Sequence, residues 1–408
     1  MSEVIVIGAG PAGLATAATL GRAGVPATVL ERSGTVAPAW RTHYDRLHLH
    51  TVRWLSHLPG YSIARRHGRW VPRDGVVSYL EEYARHHDLD VRFDTEVSRL
   101  ERDPAGWRLE TSGGPLQARH VVVATGYNHT PTVPDWPGRE DFSGELLHSK
   151  SYRSGQAYRG RDVLVVGSGN TGAEIAVDLV EQGAGRVRIS IRTPPHIVPR
   201  DAAGLPGQVV GILVRRLPAR VGDAVIRQNQ RTFIGDLSEY GLPVPDQGVY
   251  TRLLETGGVP ILDIGFADAV RSGDIEVVAA VDSFEGSQVL LTGGSRISPD
   301  VVVAATGFSR ELAPLVGHLG LLEENGRPVV HGPYAHRDAP GLYFIGFSDP
   351  ISGMFREINL DAWKIARAIA ADRDQPPKNV THRPGPLGDR VLARVSVALR
   401  SPRRRWLS

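Results

Sequence analysis

Short apolar runs followed by glycine-rich turns recur along the chain and predict buried strands of a parallel sheet. The first run, Val4–Ile7, precedes a glycine turn and a helix-forming segment at residues 14–22. A second apolar strand, Ala27–Leu30, ends at the acidic residue Glu31. This order of strand, turn, helix, strand and acid is typical of a dinucleotide-binding unit.

The first glycine turn has the GxGxxG spacing of such a unit. Its first glycine permits a tight turn, its second lets the backbone approach a pyrophosphate, and its third lets the helix pack on the strand. The helix N-terminus favours the phosphates, and Glu31 can accept hydrogen bonds from an unmodified ribose. A glycine turn without a ligand is the alternative interpretation. The candidate residues of this unit are Gly8, Gly10, Pro11, Ala12, Gly13, Glu31 and Arg32.

A second unit repeats the pattern with one change of charge. The apolar strand Asp162–Val166 precedes another GxGxxG turn, a helix at residues 173–182 and a strand, Val187–Ile191. Arg192 then occupies the position that Glu31 has in the first unit. Arginine can pair with a 2′-phosphate that a carboxylate would repel, which predicts NADPH, although Arg192 as a solvated strand end is the alternative. The candidate residues are Gly167, Ser168, Gly169, Asn170, Thr171, Gly172, Arg192 and Thr193.

Two further apolar strands, at residues 121–123 and 301–305, end in Thr125-Gly126 and Thr306-Gly307, one after each unit. They predict an α/β fold of two doubly wound, Rossmann-like dinucleotide-binding domains, the second of which, the NADPH domain, is inserted into the first. The first domain then resumes with a strand at 342–346 and a helix at 359–371. The expected segments are 1–155 and 307–375 for the first domain, 156–306 for the NADPH domain with a candidate substrate-access segment at 201–250, and 376–408 for a C-terminal tail.

Composition narrows the chemistry. Cysteine is absent from the 408 residues, which excludes disulfides, thiolate metal sites, cysteine nucleophiles and a redox cysteine pair. The net charge of +3 is too small to indicate nucleic-acid binding. Glycines interrupt the apolar start of the chain, so it is not read as a signal peptide or membrane helix. We expect a cytoplasmic protein with no metal site and no integral membrane segment.

One further motif, just before the second glycine turn, matches the FxGxxxHxxxY fingerprint; its residues are Phe142, Gly144, His148 and Tyr152. With this motif the chain resembles the class B flavin-dependent monooxygenases, and most closely the plant YUCCA-type indole-3-pyruvate monooxygenases. The resemblance spans roughly residues 1–372 and weakens at about 201–250. The Baeyer–Villiger branch usually has Trp-Pro where this chain has Tyr152-Arg153.

The resemblance implies that the first domain, at 1–155 and 307–375, is an FAD domain and that the second binds NADPH. It also implies O2 and a small-molecule substrate as partners. In such an enzyme NADPH reduces FAD, and a C4a-(hydro)peroxyflavin inserts one oxygen atom into the substrate. The implied substrate is an aromatic 2-oxo acid or a sulfur or nitrogen compound. Baeyer–Villiger oxygenation, a non-oxygenating NADPH-dependent flavin reductase and a non-catalytic nucleotide sensor are alternatives; a disulfide reductase lacks its cysteine pair. The resemblance leaves open whether the protein forms a homo-oligomer.

The resemblance also suggests site residues. His148 would link NADPH binding to oxygenation, or be a hydrogen-bonded histidine at the domain hinge. Asn170 would donate to a flavin or nicotinamide oxygen, or be a turn residue. Tyr152 is read mainly as packing. The remaining candidate cofactor-binding residues are Trp40, Arg41, Thr125, Gly126, Thr306, Gly307 and Gly346.

Four other features have competing interpretations. His48 and His50 alternate as on one face of a strand; without a third ligand nearby, a surface or pocket-lining pair is favoured over a metal site. Met354 and Phe355 are flavin-facing or core residues. The segment at 204–226 is an access lid or an amphipathic surface helix. The arginine-rich tail near the C-terminus is solvated or touches an anionic membrane.

Overall fold

A computed structural model of the chain describes residues 2–373. The arginine-rich tail therefore lies outside the described residues. The α-helices are α1 Pro11–Arg22, α2 Pro38–Thr42, α3 Arg73–His86, α4 Asn170–Glu181, α5 Gly207–Val214, α6 Ala219–Phe233, α7 Val249–Thr256, α8 Phe266–Arg271, α9 Ala313–Val316 and α10 Met354–Arg373. Short 3₁₀ helices cover Arg53–Leu55, Arg65–His67, Arg139–Asp141, Gly155–Tyr158, Ser238–Tyr240 and Gly317–Leu319.

The first sheet has seven strands and contains the first glycine turn. Its strands, numbered in chain order with those below, are β1 Ser2–Ile7, β2 Ala27–Leu30, β5 Asp90–Arg92, β6 Val97–Asp103, β7 Gly106–Thr111, β8 Leu116–Val123 and β23 Leu342–Phe344. The order is β5-β2-β1-β8-β7-β6, and β23 also pairs with β8. Strands β6 and β7 join antiparallel, whereas β5, β2, β1, β8 and β23 run parallel.

The second sheet has five strands, all parallel, in the order β10-β21-β11-β12-β17. They are β10 Glu145–His148, β11 Asp162–Val166, β12 Arg186–Ser190, β17 Ile275–Val278 and β21 Val301–Ala304. Short pairs and a three-stranded sheet complete the fold: β3 His48–Val52 with β4 Trp70–Pro72, β9 Thr130–Pro131 with β22 Phe308–Ser309, β13 Ile197–Pro199 with β16 Ile261–Asp263, β14 Asp201–Ala202 with β15 Leu205–Pro206, and β18 Val281–Glu285 with β19 Gln288–Leu291 and β20 Arg296–Ile297.

These sheets confirm the predicted fold class. The chain leaves the first sheet after β8, builds the second sheet, and returns at β23, which pairs with β8 through Leu342↔Val121. Successive side chains of β1 point to opposite faces of the sheet: Val4 and Val6 pack into the cluster with α1, α3 and α10, whereas Ile5 and Ile7 pack into the cluster on the other face. In the second sheet, Val163 and Val165 belong to one cluster and Leu164 and Val166 to another. Both large sheets are therefore covered on both faces, as a parallel sheet requires.

Two details differ from the sequence pattern. Strand β10 lies inside the range 1–155 but pairs with β21 in the second sheet, so that sheet draws on the chain before its own glycine turn. The last helix begins at Met354 rather than near residue 359. Its first turn contains the polar residues Arg356 and Glu357, which interrupt the helical spacing of apolar residues in the sequence. Glu357 is accommodated there by an ion pair with Arg215 at 2.5 Å.

Within residues 2–373, no helix is long and apolar enough to cross a membrane.

Candidate functional site

The two glycine turns have the same geometry. The first glycines, Gly8 and Gly167, have φ of +105° and +134°, where a side chain would be strained. A Cβ on Gly13 would lie 1.9 Å from the Gly8 carbonyl oxygen, and one on Gly172 would lie 2.3 Å from that of Gly167. The first and third glycines of each turn are therefore required by the packing of helix on strand.

The middle glycines differ from their neighbours. Gly10 and Gly169 have ordinary extended φ values of −81° and −98°. An added Cβ at either position would meet no protein atom within 4 Å. The protein's own packing thus leaves space in front of these backbone amides, at the N-termini of α1 and α4, where a phosphate can approach.

The first turn opens onto a cavity of about 440 Å³, called here the large cavity. Segments after β1, β2, β8 and β23 surround it together with α2 and β3. It brings together part of the predicted set: Gly8, Gly10, Pro11, Ala12, Glu31, Trp40, Thr125, Gly126, Asn170, Thr171 and Gly346. Met354 and Phe355 line it too, and Phe355 packs edge-on against Trp40 with ring centroids 5.9 Å apart.

Two polar side chains show how the first unit would fit a nucleotide. Glu31 is buried, and its carboxylate accepts hydrogen bonds from the N–H groups of Ala9 (2.8 Å) and Ser33 (2.9 Å). It therefore braces the glycine turn. The buried Thr125 hydroxyl, by contrast, has no hydrogen-bond partner among residues 2–373. A buried hydroxyl without a partner costs free energy, so a polar ligand in the large cavity would satisfy it.

The second unit reaches the same cavity through the N-terminus of α4. Asn170, Thr171 and Glu174 line the large cavity. The Asn170 amide donates to the Pro260 carbonyl at 3.0 Å and accepts from the Leu262 N–H at 2.7 Å. Its side chain thus anchors the segment at 260–262 beside the turn.

Arg192 and Thr193 are exposed just beyond β12. In the described part of the chain, no carboxylate pairs with the Arg192 guanidinium, although many of the other arginines form ion pairs. Its charge is therefore available for an anionic group of a bound nucleotide.

His148 lies at the junction of the two sheets, outside the lining of the large cavity. Its Nε2–H donates to the Gly307 carbonyl at 3.0 Å, and its Nδ1 accepts the Lys150 N–H at 3.1 Å. Burial lowers the pKa of His148, which keeps the ring neutral in this arrangement. The neighbouring Thr306 hydroxyl donates to the Thr132 carbonyl at 2.5 Å. The His148 bond thus connects β10 to the turn after β21, and the Thr306 bond connects that turn to the segment after β9.

Two predicted arginines also lie outside the lining of the large cavity. Arg32 is exposed after β2, whereas Arg41 pairs with Glu81 of α3 and donates to the Val36 carbonyl at 3.0 Å. The remaining predicted residues outside that lining are the packing glycines and the rest of the second turn: Gly13, Gly167, Ser168, Gly169, Gly172 and Gly307.

Tyr152 of the fingerprint is fully buried, and its hydroxyl donates to Asp178 of α4 at 2.6 Å. The Gly155 N–H donates to the same oxygen at 2.8 Å. We expect Tyr152→Phe to destabilise the protein by about 1–2 kcal/mol, because buried Asp178 loses a donor. Urea unfolding measures this, with the exposed Tyr334→Phe as control. An unchanged midpoint with altered turnover would contradict the packing role.

A second cavity, of about 130 Å³ and mostly apolar, adjoins the large one and is called here the small cavity. Helices α5, α6 and α7 form its wall with residues such as Val210, Ile226 and Leu253. The residues that line both cavities are His50, Thr51, Val259, Leu262, Asp349 and Pro350. The candidate access segment at 201–250 therefore lies against an apolar space that opens toward the candidate cofactor site.

The sequence motifs did not indicate Glu174, a buried acid at the junction of the two cavities, meaning the place where their linings overlap. Glu174 of α4 is nearly unexposed and bonds to His50 Nε2. Its spacing of four residues from Asn170, on the same helix face, is the signal that could have found it. His48 and His50 both line the large cavity, in agreement with the pocket-lining interpretation.

Other charges around the junction are balanced. Burial lowers the pKa of His43 to about 4, so this lining histidine is neutral near pH 7. Asp349 pairs with Arg327 and accepts a hydrogen bond from the Tyr127 hydroxyl at 3.0 Å. Among residues 2–373, no lysine or arginine lines either cavity.

Comparisons with known proteins find relatives that cover most of the chain. The pyridine nucleotide-disulphide oxidoreductase family matches residues 5–200. Indole-3-pyruvate monooxygenase YUCCA1 of Oryza sativa subsp. japonica is 37% identical over 385 residues, covering 92% of this chain and 94% of that protein. The probable indole-3-pyruvate monooxygenase YUCCA3 of Arabidopsis thaliana is 34% identical, with 90% and 86% covered. A doubly substituted flavin monooxygenase from Stenotrophomonas maltophilia has a similar fold, with a TM-score of 0.71, 23% identity, and 91% and 100% of the chains covered.

Two glycine turns on two parallel sheets, both reaching one cavity, define an oxidoreductase that uses a flavin and a pyridine nucleotide. FAD and NADPH are its cofactors. The chain belongs to the YUCCA family of flavin-dependent monooxygenases.

Proposed function

We propose that this enzyme uses NADPH and O2 to insert one oxygen atom into a small, largely apolar substrate, and that this substrate is an aromatic 2-oxo acid. The observation that carries the proposal is the meeting of three sites. The first glycine turn, the N-terminus of α4 and the apolar small cavity all open onto the large cavity. A cofactor pair and a substrate held in these places would have their reacting ends together.

The first unit suits FAD and the second suits NADPH. Open space at Gly10 and the unpartnered Thr125 hydroxyl favour a dinucleotide in the first unit. Open space at Gly169 and the unpaired Arg192 favour a 2′-phosphorylated nucleotide in the second. Bound FAD supplies the redox and oxygen chemistry when reduced by NADPH.

The chain's own contribution is positioning and exclusion of water. Trp40 and Phe355 form an apolar wall of the large cavity. Asn170 holds the segment at 260–262, whose Leu262 lines both cavities. Helices α5, α6 and α7 cover the small cavity, so a substrate there would be largely desolvated.

The proposed substrate class is supported by the relatives and by the mostly apolar lining of the small cavity. The similar YUCCA proteins are named as indole-3-pyruvate monooxygenases. An aryl group matches an apolar cavity, which offers it favourable burial. Oxygen insertion next to the 2-carbonyl, with loss of the carboxyl carbon, balances as 2-oxo acid, O2, NADPH and a proton giving the shortened acid, CO2, NADP⁺ and water.

Isotopically labelled dioxygen tests this function. The FAD-loaded protein, NADPH and indole-3-pyruvate are expected to give indole-3-acetate that carries one labelled oxygen atom, with the second label in water. Mass spectrometry of the product and the ratio of NADPH consumed to product measure it. NADPH consumption that yields hydrogen peroxide and no labelled organic product would identify a flavin reductase instead. Labelled product from a simple ketone but not from the 2-oxo acid would favour Baeyer–Villiger oxygenation.

A further inference from the structure

His50 and Glu174 form a pair where the two cavities meet. The His50 ring lies on β3 and lines both cavities, whereas Glu174 lies on α4 and lines the large one. His50 Nε2 bonds to a carboxylate oxygen of Glu174, whose side chain is 2% exposed. A buried carboxylate held on one ring nitrogen fixes the orientation of the ring.

The second nitrogen of the His50 ring is uncommitted. His50 Nδ1 has no hydrogen-bond partner among residues 2–373, although the ring is only 17% exposed. A protonated imidazole donates from both nitrogens. With Nε2–H on Glu174, the Nδ1–H is left to donate to a ligand at the junction.

Permanent positive charge is absent from the lining of both cavities within residues 2–373, although Arg200 lies within electrostatic reach of Glu174. Lysine and arginine do not line either cavity there, and His43 is neutral near pH 7. The titratable and charged groups that face the pair or lie within its electrostatic reach are Tyr44, His43, His48, Asp349 and Arg200. Asp349 is already paired with Arg327, and burial raises the pKa of Tyr44, which keeps its hydroxyl protonated.

We propose that His50 is the residue that recognises the substrate carboxylate, with Glu174 as the positioning residue that holds the imidazole in orientation. The apolar part of the acid lies in the small cavity, and its carboxylate accepts the Nδ1–H of His50. This inference rests on the proposed function, since it assigns the group that binds the acid end of a 2-oxo acid.

Binding without turnover tests the assignment. Isothermal titration of the FAD-loaded protein, in the absence of NADPH, compares indole-3-acetate with its neutral amide. At about pH 6 we expect the acid to bind about tenfold more tightly, since a charge-assisted hydrogen bond contributes on that order. This preference is expected to fall as the pH is raised, because the imidazole donates to the acid only while Nδ1 carries a proton, and the amide affinity should stay constant.

Variants separate the two roles. His50→Gln keeps a side chain of similar size without a charge and is expected to abolish both the preference for the acid and its pH dependence. Glu174→Gln is expected to weaken the preference without abolishing it, because the ring loses the carboxylate that orients it. His57→Gln, close to the end of the same strand but outside the lining of both cavities, is the matched control and should keep the preference. FAD content and thermal unfolding verify each variant. If Glu174→Gln does not fold, the wild-type pH titration and His50→Gln decide.

Equal binding of acid and amide to the wild-type protein would overturn the assignment, as would an acid preference that persists in His50→Gln. These outcomes are distinguishable from failure of the proposed function. Labelled indole-3-acetate formed with an unchanged KM in His50→Gln would leave the oxygenase intact and remove His50 as the recognition residue. An acid preference that depends on His50, without any labelled product, would leave the binding site and remove the proposed reaction.

Discussion

Gly10→Val is expected to give a folded protein that no longer retains FAD. The new side chain meets no protein atom within 4 Å of its Cβ, and the backbone of Gly10 is already extended, so folding is not opposed. The same side chain fills the space through which a pyrophosphate approaches the turn. Loss of about two charge-assisted amide contacts weakens FAD binding about a hundredfold or more. Flavin absorbance after gel filtration, and titration of the apoprotein with FAD, measure the effect.

Gly169→Val is the matched control, because it adds the same side chain to the equivalent, equally open position of the second turn. This variant should keep its FAD and lose NADPH-dependent reduction of the flavin. A Gly10→Val protein that binds FAD as tightly as the wild type would contradict the assignment of the first turn. Loss of both cofactors in both variants would show that the two turns act through folding rather than through separate ligands.

The fold and the glycine turns could be predicted because their elements follow one another closely in the sequence. Each unit carries its strand, its three glycines and its helix within about thirty consecutive residues, and these contacts are set by backbone sterics. The bounds of Ala27–Leu30 and Asp162–Val166 agree with the pattern for this reason. The clashes that an added Cβ would make at Gly13 and Gly172 show the same local cause.

Contacts between distant segments were not predictable in the same way. His50 and Glu174 are 124 residues apart in sequence and meet only because the second sheet packs against the first. The alternation of His48 and His50 indicated a shared strand face, but nothing local told which carboxylate would meet it. The small cavity likewise depends on three helices and the loop at 349–353 coming together.

Motif residues also took part in contacts that the motif does not encode. The amide of Asn170 bonds to the backbone of residues 260 and 262, and both ring nitrogens of His148 bond to backbone groups. The residue type at each motif position predicts which hydrogen-bonding groups are available there. The partners of those groups depend on neighbouring segments, and the packing of the two sheets decides which segments these are.

Arg192→Ala is expected to remove the preference for NADPH over NADH. The guanidinium is exposed beyond β12 and has no carboxylate partner within residues 2–373, so its charge is not compensated by the protein. A bidentate pair with the 2′-phosphate contributes about 1.5–3 kcal/mol, equivalent to a fall in kcat/KM for NADPH of about ten- to a hundredfold. The value for NADH should change little, because NADH lacks that phosphate.

Arg186→Ala controls for the general loss of positive charge on this sheet. Arg186 lies at the other end of β12 and is exposed, but its guanidinium already pairs with Glu276 at 2.6 Å. Its removal should leave the ratio of kcat/KM for the two coenzymes unchanged. Steady-state rates of flavin-dependent NADPH and NADH oxidation in the three proteins measure the ratio directly. If Arg192→Ala lowers both coenzymes equally, the arginine is a solvated strand end; a loss confined to NADPH places the 2′-phosphate at this strand end.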